Sequence, residues 1–204
     1  MSNEKYEELQ QLLQNEKEQH VKNYIKYCTK TENARNRDKT LKNPWFAKLT
    51  AAKLANYFTQ VDGVGLVLDG VHVTIQSTGL SYDYVAYKNR MLLAYPDSKL
   101  DVQLVYQGDT FEFKKVDGRV MYTHEINNPF EQTDANIIGG YCVIKNERGE
   151  FLTTLTNKDF AKHREVAKTD YIWKAWYPEM CKKTLIKKAV KVHYDDLYIE
   201  MDKE

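Results

Sequence analysis

The sequence has almost no net charge: 30 basic and 29 acidic side chains leave a formal +1. Overall charge therefore points to no polyanionic partner, and only its local distribution can. Cysteine is scarce. Cys28, Cys142 and Cys181 form no CxxC pair and no His/Cys ligand spacing, so neither a disulfide framework nor a zinc site is expected. A reducing cytoplasm is the natural setting. No window approaches ~18 apolar residues, and the opening "MSNEKYEELQ" is acidic and polar with no apolar leader core. A soluble intracellular chain, without membrane contact, is expected. The phosphate loop GxxxxGK[ST] is missing, as are GxGxxG and GxSxG, so nothing supports ATP use. Five scattered histidines, at 20, 72, 124, 163 and 193, include no i, i+4 pair to hold a metal on a helix. The carboxylates of Asp195 and Asp196 are neighbours that point apart on any regular element. No cofactor, metal or nucleotide, is implied.

What is present is aromatic: 15 Tyr, 7 Phe and 3 Trp exclude a disordered tail protein. Tyr6, Leu9, Leu13, Val21, Tyr24, Ile25 and Cys28 recur at three- and four-residue steps, which predicts a helix over 3–30. Its polar middle, "QNEKEQH", suggests partial packing on the chain's own core and a further contact with another subunit. Residues 29–43 read as a basic exposed linker. Pro44 opens a second helix carrying Trp45, Phe46, Leu49, Leu54, Tyr57 and Phe58. The stretch "VGLVLDGVHVTIQST" alternates Val71, Val73 and Ile75 with polar residues, as a half-buried strand does, with a turn at Asp69-Gly70. Residues 84–98 favour a helix ended before Pro96. "DVQLVYQ" reads as a strand, and two hairpins follow, one turning at Asp117-Gly118 and one at "NERG". Thr156, three residues before Asp159, is an N-cap signature for the helix "NKDFAKHREVAK". Pro178 then pre-sets the first turn of a last helix. The fold expected is α+β: small antiparallel sheets and hairpins with a central helix, a basic C-terminal helix and an N-terminal helical extension.

The last helix holds the strongest signal. "MCKKTLIKKAVK" (180–191) packs five lysines into twelve residues. At ~100° per residue, Lys183, Lys187, Lys191 and Lys188 span an arc of roughly 140°. Cys181, Leu185, Ala189 and Val192 take the opposite arc, and Lys182 lies at its edge. Solvated helices usually mix signs through i, i+4 pairs, but the acid nearest this stretch is Glu179, at the helix start. Complementing the helix dipole would explain only the lysines of the last turns. Phosphate binding explains all five.

These residues carry a resemblance. "MCKKTLIKK", with Trp173 seven positions before its Met, resembles the late helix of the RecT/Redβ family of phage single-strand annealing recombinases. "LVYQGDTFEF" (104–113) is similar to the family's Val-Tyr-x-x-Asp-x-Phe strand, followed as usual by a hairpin and a His, here His124. "IIGGYCVIKNERGEF" resembles its next strand, and "LTNKDFAKHRE" places Arg164 at a family arginine. Where the family reads Gly-Tyr-Lys-Gly, this chain has "AYKNRM", keeping Tyr87 and Lys88.

The resemblance implies ATP-independent binding of single-stranded DNA and annealing of complementary strands, with no covalent chemistry and no enzyme activity in that sense. It implies a single RecT-like annealing domain over 44–204 behind a helical arm and linker over 1–43. The expected partners are single-stranded DNA, the annealed duplex, further copies of the chain in a ring or helical filament, and a cognate phage exonuclease, in a bacterial host cytoplasm. Backbone contacts are expected from Lys182, Lys183, Lys187, Lys188 and Lys191, then from Lys88, Arg90 and Arg164. Arg164 is equally compatible with a structural ion pair, and Lys88 and Arg90 with plain helix surface. Tyr87, Trp173 and Trp176 read as packing, and His124 as a hydrogen-bonded structural residue. Two other readings stand beside annealing. One is a nucleic-acid-binding replication or packaging accessory; the other is a nuclease using Asp83, Asp101, Asp109 and Asp134.

Overall fold

The computed structural model describes residues 3–33, 44–76, 79–117, 119–167 and 170–197. The chain divides into two compact units, the first running to Ala86 and the second beginning at Tyr87. The α+β class holds, with helices flanking small antiparallel sheets. Among the described residues no helix is long and apolar enough to cross a membrane.

The first unit is mainly helical. The single helix expected over 3–30 is two, α1 (Asn3–Leu12) and α2 (Glu18–Asn33). They separate where residues 14–19 supply no apolar side chain to hold a turn against a core. Their apolar faces are buried within the unit: Leu9, Leu13, Val21, Tyr24 and Cys28 are all inaccessible or nearly so. The helix expected from Pro44 is also split, into α3 (Pro44–Ala47) and α4 (Ala51–Gly63). Thr50 adopts an extended N-cap conformation and its side chain accepts the Lys53 N–H at 3.2 Å, which starts α4 afresh. Tyr24 ties α2 to α4 by donating its hydroxyl to the Leu54 carbonyl at 2.8 Å and by packing on the Phe58 ring. The expected linker falls mostly on residues 34–43, outside the described residues; its start, 29–33, is the last turn of α2.

The expected strand over 64–78 shrinks to β1 (Val73–Gln76), paired antiparallel with β2 (Gly79–Tyr82). Asp69 is the cause. Its Oδ1 accepts the N–H groups of Val71, His72 and Val73 at 2.8, 2.8 and 3.1 Å, so these amides curl around a side chain rather than enter a ladder. Val71 is consequently exposed, while Val73 and Ile75 are buried as the alternation required. Gly70 turns with φ 76°, and a Cβ there would meet the Tyr27 ring at 2.8 Å. Asp83 ends this unit's loop by accepting the Val85 and Ala86 N–H groups, which caps α5 (Tyr84–Ala94).

The second unit is built on a three-stranded antiparallel sheet in the order β3 (Lys99–Tyr106), β6 (Ile137–Asn146), β7 (Gly149–Thr156). A separate hairpin, β4 (Thr110–Val116) and β5 (Arg119–Glu125), turns at Asp117, which sits in the left-handed region with φ 49°. The β6–β7 turn ends at Gly149 with φ 129°, which only glycine adopts without strain. The capping box at Thr156 is present and starts α6 (Asn157–Glu165), which buries Phe160. Two more helices close the unit, α7 (Tyr171–Ala175) and α8 (Tyr177–His193).

Two histidines are shifted in opposite directions from the ordinary imidazole value. His72 lies 2.9 Å from Asp83 Oδ2, and that hydrogen bond holds its imidazole above the ordinary 6.5. His193 is packed on the Phe151 ring and hydrogen-bonded to Thr153; burial, helped by Arg148, pushes it below 6.5. The His72 contact therefore stabilises below pH about 6.5 and fades as pH rises through its folded value. His193 favours the unfolded chain as pH falls below about 6.5, because that chain takes up the proton first. Ring-proton NMR across this range should give a midpoint above 6.5 for His72 and below it for His193. Coincident midpoints would contradict both assignments.

Candidate nucleic-acid interface

The lysine helix α8 lies against the sheet, contacting β6, β7 and β3. Cys181, Leu185, Ile186, Ala189 and Val190 are buried on its inner side. The close approach depends on Gly140 of β6, where a Cβ would stand 2.8 Å from Leu185 Cδ1 and 2.8 Å from the Gln103 carbonyl. The expected apolar arc is buried at Cys181, Leu185 and Ala189; Ile186 and Val190 widen it, whereas Val192 is 52% exposed. Anchoring hydrogen bonds hold both ends. Tyr177 donates to Asn157 Oδ1 at 2.7 Å near the start, and beyond the end Tyr194, fully buried, shares a 2.7 Å hydrogen bond with Asn146.

This setting sorts the expected cations. Lys188 and Lys191 are exposed, and Lys183 and Lys187 are half-buried. Lys187 carries its ammonium 4.9 Å from the centre of the Tyr87 ring, on α5. Tyr87 is thus a buried packing residue under a lysine, as expected of core. Lys88, the next residue, is exposed. Arg90 is half-buried; on the α5 wheel it falls between Ala86 and Tyr87, both buried. Lys182 is half-buried and donates to Glu179 at 3.2 Å. Arg164 forms a two-pronged ion pair with Asp170, which Lys174 also joins at 2.9 Å. Those contacts hold the Asp170 carboxyl down at about 2 and raise the Arg164 guanidinium. The outer side of α8 therefore carries Lys183, Lys187, Lys188 and Lys191 in a row.

A second cluster joins three of the sequence segments singled out above. His124 of β5 lies 3.2 Å from Asp109 Oδ2 through Nε2 and 3.3 Å from the Tyr141 hydroxyl through Nδ1. Its side chain is 5% exposed and that of Asp109 is 3% exposed. Asp109 Oδ2 also accepts the Tyr106 N–H at 2.9 Å. Phe111 stacks on Tyr141 with ring centres 5.0 Å apart. The cluster fastens the β4–β5 hairpin to β6, so His124 is the structural residue its strand position suggested. Asp109 is its partner, a pairing no local spacing could reveal.

Burial pushes the thiols of Cys28, Cys142 and Cys181 up to about 12, far from a nucleophilic thiolate. Three of the four acids of the nuclease reading hold other partners: Asp83 faces His72, Asp109 faces His124, and Asp101 accepts from Gln103. Asp134 begins a 3-10 turn. Among the described residues no group of three or more His, Cys, Asp or Glu could hold a metal ion.

No curated protein and no solved structure matches the chain. The model of the RecT family matches residues 85–197, which covers more than half of the sequence and takes in the lysine helix, the sheet beneath it and the His124 cluster. The chain belongs to the RecT family.

Proposed function

We propose that the protein binds single-stranded DNA along α8 and anneals complementary strands without nucleotide hydrolysis. The observation that carries this reading is the lysine row. Four cations share the outer side of a helix whose inner side is locked to the sheet through Leu185 and Gly140. Annealing needs no covalent step, since base pairing drives it. The obstacle is repulsion between two polyanions, which a fixed cationic row lowers by replacing condensed counterions.

Lys183, Lys187, Lys188 and Lys191 are the phosphate contacts in this reading, with Lys88 as a flanking contact. Lys182, Arg90 and Arg164 hold structural positions and contribute less. Family membership supports recombination and annealing in general. Assembly into a ring or filament, which would align successive lysine rows, and action beside a cognate phage exonuclease belong to the proposal.

The test uses an end-labelled strand, its complement, the protein and Mg²⁺, with no nucleotide. Duplex of full length formed faster than without protein is the expected result. Binding without acceleration would favour the accessory reading, and a shortened label would favour the nuclease.

A further inference from the structure

Trp173 and Trp176 are three residues apart, yet they have opposite fates. Trp173 is 3% exposed and packs beside Tyr177, whereas Trp176 is 64% exposed. The backbone around Trp176 is held from several sides. Its own N–H donates to the Ile172 carbonyl at 2.9 Å, and its carbonyl accepts the Met180 N–H at 3.0 Å. Asp170, at the head of α7, is clamped by Arg164 and Lys174, and Tyr177 is fixed to Asn157. A large indole is thus presented to solvent from a well-anchored segment.

Its position relates it to the lysines. Trp176 is the N-cap of α8. At ~100° per residue its Cα falls at about 20° on the wheel, between Lys183 at 0° and Lys187 at about 40°. At ~1.5 Å per residue it precedes Lys183 by about 10 Å and Lys191 by about 22 Å along the axis. The Trp176 Cα therefore lies at the N-terminal end of the cationic row, at the wheel angle of Lys183 and Lys187, and its indole is open to solvent.

We propose that Trp176 is a base-stacking subsite, on which a nucleobase of the strand rests while the lysines hold its phosphates. This rests on the single-strand reading above and adds to it a contact with the base rather than the backbone. Indole stacking is sequence-tolerant because every base has a π-face.

The experiment compares oligo(dT) of about 30 nucleotides with an abasic deoxyribose-phosphate chain of equal length, a probe that keeps phosphates and lacks bases. Oligo(dT) should quench the intrinsic tryptophan emission, and the abasic chain should not. Trp176→Ala should weaken oligo(dT) binding roughly 5- to 100-fold while leaving abasic-chain binding within about twofold. Trp176→Phe, which keeps a stacking ring, should return oligo(dT) affinity to within about threefold of the parent and lose the quenching. Equal oligo(dT) affinity for the parent and Trp176→Ala would overturn the stacking subsite and leave the lysine row standing. Failure of the parent protein to bind either chain would overturn both.

Discussion

Reversing three charges on one side of α8, with Lys183→Glu, Lys187→Glu and Lys191→Glu together, should lower affinity for a single strand about 100-fold at 0.1 M salt. For single strands each phosphate contact contributes about 0.7 to the slope of log K against log salt, so three contacts contribute about 2. The same variant should therefore flatten that slope by about 2, which distinguishes lost phosphate contacts from a damaged fold. Lys187 also covers the Tyr87 ring, and losing that contact costs about 0.5–1 kcal/mol of stability, too little to unfold a domain. Lys182→Glu is the internal control. Lys182 is half-buried and paired with Glu179, so its reversal should move both affinity and slope far less. Filter binding or anisotropy across a salt series reads both quantities. Equal losses for Lys182→Glu and for single reversals on the outer side would mean that net charge alone matters.

The second large effect is on stability. Asp109→Ala should destabilise the β4–β5 hairpin by about 2–4 kcal/mol. The carboxylate is nearly inaccessible and serves two donors, the His124 ring at 3.2 Å and the Tyr106 N–H at 2.9 Å. Removing it leaves both groups buried without that acceptor, each costing about 1–3 kcal/mol. Asp109→Asn keeps one acceptor oxygen and should cost less than half as much. Amide hydrogen exchange within Thr110–Glu125 gives the local readout. Exchange in that hairpin should accelerate in Asp109→Ala while the α8 amides stay protected. Unchanged hairpin protection would remove the dyad from the list of contacts that hold β4 and β5 to β6.

Helix α8 was legible because period 3.6, Pro178 and an almost acid-free stretch agree with one another. The full width of its buried side was not: Cys181, Leu185 and Ala189 are buried as their arc predicts, but Ile186 and Val190 are buried beside them and Val192 is exposed. The 3–30 helix and the 64–78 strand failed for local reasons. A run without apolar side chains interrupted the first, and one Asp69 carboxylate took three amides from the second. The partnership of Asp109, His124 and Tyr141 is non-local, so the segments could be noticed but their meeting could not be derived. Trp173 and Trp176 read alike in sequence, and burial alone separates them.

If the outer lysines of α8 promote annealing, the pairing rate of two complementary strands must depend on them. Two complementary fluorescent oligonucleotides are mixed without nucleotide, and the second-order rate is followed with the parent protein and with the triple Lys→Glu variant. The parent should accelerate annealing clearly, and the variant, with its fold retained, should leave the protein-free rate. Equal acceleration by both proteins would contradict that dependence and place the annealing surface elsewhere on the molecule.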